Sequence, residues 1–434
     1  MKRPLRGKGM VPVKNAATLS FASSLLHSCH FGLAGIALAA LLGGCDGSDS
    51  SGSAGNGGGG GGGGGGGTGG SATLQCPASP AVEQVVSTVF PGPGGFDFVG
   101  TVNSILLSGQ DLYYTTANLD GAAVYRATPT TQPTLFFQNS QYTPLSQLVS
   151  AGQSLYWYDA ETQPGRVVKM PLAGGAPSVQ FPNVHMGILP EIEQYFDTLY
   201  GHTIFANTQA PNGTWRNQLM RTLGAGDAPK IFFSRDNGNS GEAFRLVYAK
   251  MGDFFYVVGA PDNGSTDYKI LRIAENENIV DPENPPSVAP TFNFTCMTLA
   301  ARGDSVLWCL RPFEGAMDNG GDRIRVMFFL NVDTYHVQDV FSLSDAPASA
   351  GKLTGKAATD GNNLFFATDA VDGNGVVTST IFQVSADVGI PPKILACGLP
   401  RISDMTLGNG YLYFGLVETN PDKIDKNGIH RIAY

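Results

Sequence analysis

The chain has 434 residues, of which 42% are apolar, 10% aromatic and 15% charged, and 57 are glycine. This composition excludes a collagen, a coiled coil and a disordered acidic tail. All 36 acidic residues follow position 44, so the remainder of the chain has 22 basic residues and a formal net charge of −14. A surface of that sign repels phosphate backbones, which argues against nucleic acid as a partner.

The N-terminal segment has the pattern of an export signal. A basic stretch from Lys2 to Lys14 precedes the 14 uncharged residues Phe31–Gly44, which are too few to span a bilayer. The sequence Leu42-Gly43-Gly44-Cys45 then resembles the lipobox of bacterial lipoproteins. That resemblance implies a signal peptide over residues 1–44 and lipidation of Cys45 after cleavage. It leaves open whether translation starts at Met1 or Met10, and which envelope membrane holds the anchor.

The segment after Cys45 predicts a flexible tether. Residues 45–74 are almost entirely small and polar and include an unbroken glycine run from Gly57 to Gly67. Such a chain has too few apolar side chains to bury a core. We expect it to hold residues 75–434 clear of a membrane surface, on the periplasmic or exterior side of a bacterial cell envelope.

Residues 100–434 contain seven copies of a repeat of about 50 residues. Each copy opens a strand with the pattern Gly-x-x-apolar-aromatic-aromatic, and the opening positions are Gly109, Gly152, Phe196, Gly252, Gly303, Gly361 and Asn409. Consecutive apolar residues predict a strand that is buried on both faces. Every sheet then needs a neighbour on either side, which a β-propeller supplies.

Two further patterns complete a four-stranded unit. A third strand reads apolar-x-basic, as in Val124-Tyr-Arg126 and Val167-Val-Lys169. A fourth strand follows a proline, as in Pro133-Thr-Leu135 and Pro392-Lys-Ile394, and proline suits an outer edge because it lacks an N–H. We therefore expect residues 75–434 to form an all-β domain, a seven-bladed β-propeller of four-stranded antiparallel blades.

The two ends of the repeat region complement each other. The seventh copy stops after its third strand at Tyr434, whereas Val82–Phe90 is a single strand-like segment ahead of the first copy. We expect this segment to supply the outermost strand of the last blade, which closes the propeller and removes open sheet edges.

One copy resembles a known repeat. Leu155-Tyr-Trp-Tyr-Asp159, Val167-Val-Lys169 and Leu172-Ala-Gly-Gly175 are similar to the YWTD-type repeat. In outline the region resembles the large bacterial class of extracytoplasmic seven-bladed propellers. This resemblance implies a fold and leaves the function open, because such folds support many functions.

Four cysteines follow the tether, and an even number in an exported chain predicts disulfides. Cys296 and Cys309 flank the Arg302-Gly303 turn of the fifth copy, so we expect them opposite each other across that hairpin. Their pairing leaves Cys76 for Cys397, a bridge from the start of the closing strand to the sixth blade. Structural zinc is not expected, because the chain has no C-x-x-C motif.

The richest polar feature is a set of loops on one face of the predicted propeller. The candidate ligand-binding residues there are His185, Arg235, Asp262, Asp267, Asp318, Asp322, Asp369 and Asp372. Turn chemistry explains Asp, Asn and Gly in such loops, while clustered carboxylate and amide oxygens also suit calcium. The sequence favours turn chemistry and leaves calcium as the alternative. It has no G-x-S-x-G, H-E-x-x-H or Walker motif.

Taken together, the sequence predicts a lipid-anchored, monomeric binding protein for a protein or glycan ligand, without catalysis. We expect it to contact the membrane through its anchor only, and to need no cofactor unless calcium binds the loops. The alternative is a propeller-fold hydrolase or lyase that acts on an envelope or extracellular polymer. That enzyme would gather aspartates, His185 and Arg235 near the propeller axis.

Overall fold

The computed structural model describes residues 74–78, 80–91, 97–118, 121–128, 131–138, 148–151, 153–159, 165–184, 199–200, 203–209, 215–221, 230–236, 248–251, 254–259, 269–274, 298–301, 306–311, 323–331, 334–347, 350–387 and 389–434. The predicted signal peptide, Cys45 and all but the last residue of the predicted tether lie outside these ranges. Within these ranges, no helix has the length and apolar character needed to cross a membrane.

Strands dominate the described part of the chain. Two short 3₁₀ helices, Leu343–Asp345 and Pro421–Lys426, lie between strands. The strands, in chain order, are β1 (Glu83–Ser87), β2 (Val89–Pro91), β3 (Asp97–Val99), β4 (Thr101–Ser108), β5 (Asp111–Asn118), β6 (Gly121–Ala127), β7 (Thr134–Gln138), β8 (Val149–Ala151), β9 (Ser154–Asp159), β10 (Gly165–Pro171), β11 (Ser178–Val184), β12 (Leu199–Tyr200), β13 (Thr203–Gln209), β14 (Trp215–Arg221), β15 (Lys230–Asp236), β16 (Tyr248–Met251), β17 (Phe254–Gly259), β18 (Lys269–Ala274), β19 (Thr298–Ala301), β20 (Val306–Arg311), β21 (Arg323–Asn331), β22 (Thr334–Ser342), β23 (Lys352–Thr359), β24 (Asn363–Val371), β25 (Val377–Ser385), β26 (Lys393–Leu399), β27 (Arg401–Gly408), β28 (Tyr411–Val417) and β29 (Gly428–Ala433).

These strands form successive antiparallel sheets in which neighbours in sequence are neighbours in space. Sheet 1 is β4–β7, sheet 2 is β8–β11, sheet 3 is β12–β15, sheet 4 is β16–β18, sheet 5 is β19–β22, sheet 6 is β23–β26 and sheet 7 is β27–β29 with β1 added. Within the described residues, the predicted four-stranded antiparallel sheets are confirmed for sheets 1, 2, 3, 5, 6 and 7. The fourth strand predicted for sheet 4, after Pro290, lies outside the described residues.

Neighbouring sheets contact each other through their first strands. In sheet 7, β27 contacts both β4 of sheet 1 and β23 of sheet 6. On one side, β4 contacts β8, and β8 contacts β12. On the other side, β23 contacts β19, and β19 contacts β16. The first and last sheets in sequence are thus neighbours in space.

The repeated apolar-aromatic-aromatic pattern explains how the sheets pack. Tyr113 faces a core cluster shared with sheet 2, while the next residue, Tyr114, faces a cluster shared with sheet 7. In sheet 6, Phe365 packs toward sheet 7 and Phe366 packs toward sheet 5. All four side chains are buried. The prediction that these strands are covered on both faces is therefore confirmed for sheets 1 and 6.

The apolar-x-basic pattern of the third strands also has a structural reason. Arg126 pairs across the ladder with Tyr113, its guanidinium lies 6.0 Å from that ring, and it binds the Asp111 carboxylate at 2.7 Å. In sheet 2, the Lys169 ammonium lies 5.6 Å from the ring of its cross-strand partner, Tyr156. In both sheets, the basic residue of the third strand places its cation against the aromatic ring of the second strand.

The N-terminal segment joins sheet 7, although not as one continuous strand. β1 pairs antiparallel with β29 as the outermost strand of sheet 7, while β2 pairs with β3 in a separate two-stranded hairpin. Val86 is buried in the cluster between sheets 7 and 1. At the edge, Glu83 binds Arg431 at 2.8 Å. Gly428 has a φ of +147°, and a Cβ there would meet the Val86 carbonyl oxygen, so the close approach of β1 requires glycine.

The predicted Cys76–Cys397 disulfide is present, with its Cα atoms 5.9 Å apart. Cys309 is buried and disulfide-bonded as well, while its predicted partner, Cys296, lies outside the described residues. The expected register of that hairpin was wrong, because Cys309 lies opposite Leu299. The predicted turn was Arg302-Gly303, whereas β19 ends at Ala301 and β20 begins only at Val306.

The third repeat was also placed in the wrong register. Leu199-Tyr200 was predicted in the second strand of that repeat, but it forms β12, the first strand of sheet 3. The second strand is β13, and its Ile204-Phe205 lies three and four positions after Gly201. Gly201 therefore opens the third repeat. Leu199-Tyr200 of the preceding strand has the same apolar-aromatic order as a second strand, which explains the error.

Candidate functional site

Most of the predicted ligand-binding residues lie outside the described part of the chain. These are His185, Asp262, Asp267, Asp318 and Asp322. Arg235, expected near the propeller axis, is instead in β15, where its backbone pairs with Asn217. β15 is the strand farthest from the first strand of sheet 3, and a role for Arg235 in a ligand site stays a prediction.

Asp369 lies within β24 instead of the loop that was predicted to hold it. The Ser379 hydroxyl donates a hydrogen bond of 2.5 Å to its carboxylate, and the Arg401 Nε lies 3.7 Å away on the first strand of sheet 7. Ser379 Oγ in turn accepts the Ile402 N–H at 3.1 Å. Burial raises the pKa of Asp369, against the hydrogen bond from Ser379 and the charges of Arg401 and Lys356. The carboxylate thus ties sheet 6 to sheet 7.

Asp372 shapes the hairpin that joins β24 to β25. Its Oδ1 accepts the backbone N–H groups of Asn374 and Val376, each at 2.8 Å. This is an Asx turn, in which the carboxylate replaces a backbone acceptor. No group of three or more His, Cys, Asp or Glu residues arranged to hold a metal occurs within the described ranges. For Asp372, turn chemistry accounts for the residue.

Asp404, which lies on β27, the first strand of sheet 7, was not among the predicted site residues. Asp404 Oδ2 accepts the Ile105 N–H of sheet 1 at 2.7 Å. One sheet further, Ser104 Oγ accepts the Leu148 N–H beside sheet 2 at 3.0 Å. Asp404 and Ser104 each stand five positions before the turn that opens their repeat. This shared arrangement, in which the side chain binds a backbone N–H of the next sheet, is called the inter-sheet clasp below.

The inter-sheet clasp lies at breaks in the regular ladder. The register shifts between Val102 and Ser104 in β4, and between Ile402 and Met405 in β27. A β-bulge re-aims side chains and leaves backbone groups unpaired within the sheet. At these two bulges, the side chains of Ser104 and Asp404 reach backbone N–H groups outside their own sheets.

Four charged residues meet at the junction of sheets 6 and 7. Burial raises the pKa of Asp404, and the positive charge of Lys356 on β23 is the largest opposing effect. Lys356 also lowers the pKa of Asp369, which pairs with Arg401. Lys356, Asp369, Arg401 and Asp404 are called the junction cluster below. Arg401 and Asp369 keep 30% and 20% of their side-chain surfaces exposed, so this cluster is partly open to solvent.

The junction cluster lies toward one end of the sheets. Arg401 begins β27, and Asp369 stands two residues before the end of β24. Because adjacent strands are antiparallel, both residues lie at the end from which the β24–β25 hairpin leaves. This end, called the loop end below, also carries the loop around the 3₁₀ helix Pro421–Lys426 between β28 and β29.

A sequence signal for the junction cluster existed. The position five residues before each turn is uncharged in the first five repeats, namely Ser104, Gln147, Phe196, Val247 and Thr298 once Gly201 opens the third. In the last two repeats the same position is Lys356 and Asp404. Opposite charges at equivalent positions of adjacent repeats predict an interaction between neighbouring sheets.

The inter-sheet clasp predicts different outcomes for two substitutions of Asp404. Asp404→Ala removes the acceptor of the Ile105 N–H, so the free energy of unfolding should fall by about 1–3 kcal/mol. Asp404→Asn keeps an oxygen acceptor without the charge and should cost less. Equal losses in denaturant titrations of the two variants would contradict the inter-sheet clasp.

A comparison of the wild type with Asp404→Asn tests the pKa of Asp404. Because burial raises this pKa above its ordinary value of 3.8, the folded state keeps the proton to a higher pH than the unfolded chain. The stability of the wild type should therefore fall relative to Asp404→Asn as the pH rises from about 4 through the raised pKa. A relative stability that rises over this interval would show a lowered pKa.

No protein-family model matches the chain, and no curated protein matches it. Among solved structures, a Mycobacterium tuberculosis puromycin-hydrolyzing peptidase is 12% identical with a TM-score of 0.39, covering 73% of this chain, which spans only 48% of the peptidase. The β-propeller domain of the Trilobed protease from Pyrococcus furiosus is 9% identical with a TM-score of 0.47, over 73% of this chain and 90% of that one. Virginiamycin B lyase from Staphylococcus aureus is 10% identical with a TM-score of 0.46, over 81% and 99%. Similarity at this level is no evidence for a shared ligand or reaction.

Proposed function

We propose that the chain is a lipid-anchored protein of the bacterial cell envelope that binds a protein or glycan at the loop end of a seven-bladed β-propeller. The blades are sheets 1–7, and β1 completes the last of them. Contact between sheets 1 and 7, together with the unbroken series of first-strand contacts on both sides of that pair, supports the ring. In the proposed ring, sheets 3 and 4 are the remaining pair of neighbours.

The anchor is proposed from the sequence. The uncharged segment Phe31–Gly44 directs export, and Cys45 receives the lipid after cleavage. Residues 46–74 then space the propeller from the membrane, by about 30 Å for a glycine-rich chain of this length. The lipid is the only contact with the membrane, and the propeller acts as a monomer.

The observation that supports ligand binding is the junction cluster. In the described first strands, charged residues occur in sheets 4, 6 and 7, and four of these five are in β23 and β27. Arg401 and Asp369 combine partial exposure with partial pairing, since the distance of 3.7 Å between them leaves hydrogen-bonding capacity for a ligand. A polar ligand at the loop end would meet both charges beside the loops that carry the predicted aspartates.

A hydrolase or lyase acting on an envelope or extracellular polymer is the second candidate. The raised pKa values of Asp369 and Asp404 favour it, because a general acid must hold its proton near neutral pH. The contacts favour binding, because Asp404 accepts backbone N–H groups and Asp369 accepts the Ser379 hydroxyl. Of the two aspartates, Asp369 is the one through which catalysis would proceed, because it is partly exposed.

The anchor predicts a change of cellular fraction. In a bacterial host, the full chain should sediment with membranes and incorporate labelled fatty acid, whereas Cys45→Ser should do neither. Cys76→Ser is the matched control, since it removes a cysteine that the lipobox does not involve. Label on the Cys45→Ser chain, or an unlabelled wild type, would contradict the proposal.

The binding proposal predicts a ligand that depends on the junction cluster. Detergent-solubilised full chain, used as bait in envelope extracts, should retain one protein or glycan that Arg401→Ala loses about tenfold or more. Lys393→Ala, an exposed change at the far edge of sheet 6, should retain it. A second capture with a calcium chelator tests the loop aspartates. Turnover of envelope polymer that Asp369→Asn abolishes would favour the enzyme instead.

A further inference from the structure

The segment that leads from the tether into the folded region is fixed at two places. Cys76 is bonded to Cys397 in β26, the outermost strand of sheet 6. After six more residues, β1 pairs with β29 in sheet 7. A force applied to the N-terminal chain therefore meets a covalent bond before it meets the β1–β29 ladder.

The β1–β29 ladder is poorly suited to resist such a force. Glu83 lies opposite Arg431 and Ser87 lies opposite Gly428, so the chain enters β1 beside the C-terminal end of β29. Pulling the N-terminus away from β29 would break the cross-strand bonds one after another, starting at Glu83. Because β1 has only five residues and three of them are exposed, few contacts hold it at any moment.

The contacts at the edge of β1 show where peeling would begin. The Glu83–Arg431 ion pair has Glu83 58% exposed, which makes it a weak restraint. Gln84 Nε2 donates to the carbonyl oxygens of Asp425 and Asn427 at 3.0 and 3.1 Å. Only further along does Val86 reach the buried cluster between sheets 7 and 1.

The attachment point of the disulfide is different. Cys397 lies in the middle of β26, with Lys393–Ala396 before it and Gly398-Leu399 after it. Cys397 lies at a register shift in the ladder with β25, which pairs Gln383–Ile381 with Lys393–Ala396 before it and Ser379 with Leu399 after it. Ala396 and Leu399 are buried in the cluster between sheets 6 and 7. A pull at Cys397 therefore acts inside β26, where the pairs before it, the Ser379–Leu399 pair after it and the buried Ala396 and Leu399 all hold the strand.

We propose that the Cys76–Cys397 disulfide is the point at which tension on the tether enters the propeller, and that it shields the β1–β29 pairing from that tension. The inference rests on the proposed anchor, because a chain held at Cys45 is pulled whenever a bound ligand moves away from the membrane. Residues 77–81, between the bridge and β1, then carry no tension, and Val82 keeps its packing against the cluster between sheets 6 and 7. The bridge thus lets the propeller take load without losing its outermost strand.

Single-molecule pulling of the full chain tests this proposal. Handles on the N-terminal residue and on Tyr434 load the segment in the direction described above. With the bridge intact, we expect no extension step before the propeller unfolds. The Cys76→Ser/Cys397→Ser variant should show an early low-force step that releases residues 76–87, or about 40 Å of extended chain. Dithiothreitol should produce the same step in the wild type.

A second pair of handles separates shielding from general stabilisation. Handles at Gly373, at the exposed tip of the β24–β25 hairpin, and at Tyr434 avoid the N-terminal segment. There the wild type and the double variant should unfold at the same force. Hydrogen exchange at zero force should show β1 protected in both proteins.

Two results would overturn the proposal. One is an early step of the same size and force with and without the bridge. The other is an equal drop in unfolding force for both handle pairs, which would make the bridge a general stabiliser. These measurements need neither lipid nor ligand, so a failed anchor or ligand experiment would leave their outcome unaffected.

Discussion

Burial of the second strands on both faces is the constraint on which the structure depends. Residues such as Tyr113 and Tyr114 face opposite sides of sheet 1, and each must be covered by a different neighbour. A sheet at the end of a row would expose one of these faces to water, at a cost of about 25 cal/mol for each Å² of apolar surface. The contact between sheets 1 and 7 removes that cost for the two ends of the sequence, and Val86 of β1 completes their shared core.

The periodic features of the fold could be predicted from the sequence because each has a local physical cause. Consecutive apolar residues marked the second strands, proline marked the start of β7, β11, β15 and β26, and the incomplete last repeat indicated where β1 adds. The errors arose where a local pattern had two interpretations. Leu199-Tyr200 of β12 has the same apolar-aromatic order as a second strand, and the position of one turn in sheet 5 could not be fixed from glycine alone.

The junction cluster was harder to predict because it depends on contacts between sheets. Asp404 looks like any polar residue in a half-buried strand until β27 is placed beside β4, where its carboxylate meets the Ile105 N–H. Similarly, Asp369 was assigned to a loop, and only the neighbouring sheet supplies Arg401. Repeats predict what is common to the sheets, whereas the proposed function at the loop end depends on what differs between them. Lys356 and Asp404 are such differences, because earlier repeats have uncharged residues at that position.

The melting temperature of a chain without β1 tests most directly whether the first and last sheets depend on the N-terminal strand. The comparison is between the full chain with Cys76→Ser/Cys397→Ser and a chain that lacks residues 75–90 and carries Cys397→Ser, so that neither protein has the bridge. The account predicts a lower melting temperature and concentration-dependent association for the truncated chain, since β29 then presents an open edge. Identical melting of two monomeric proteins would contradict it.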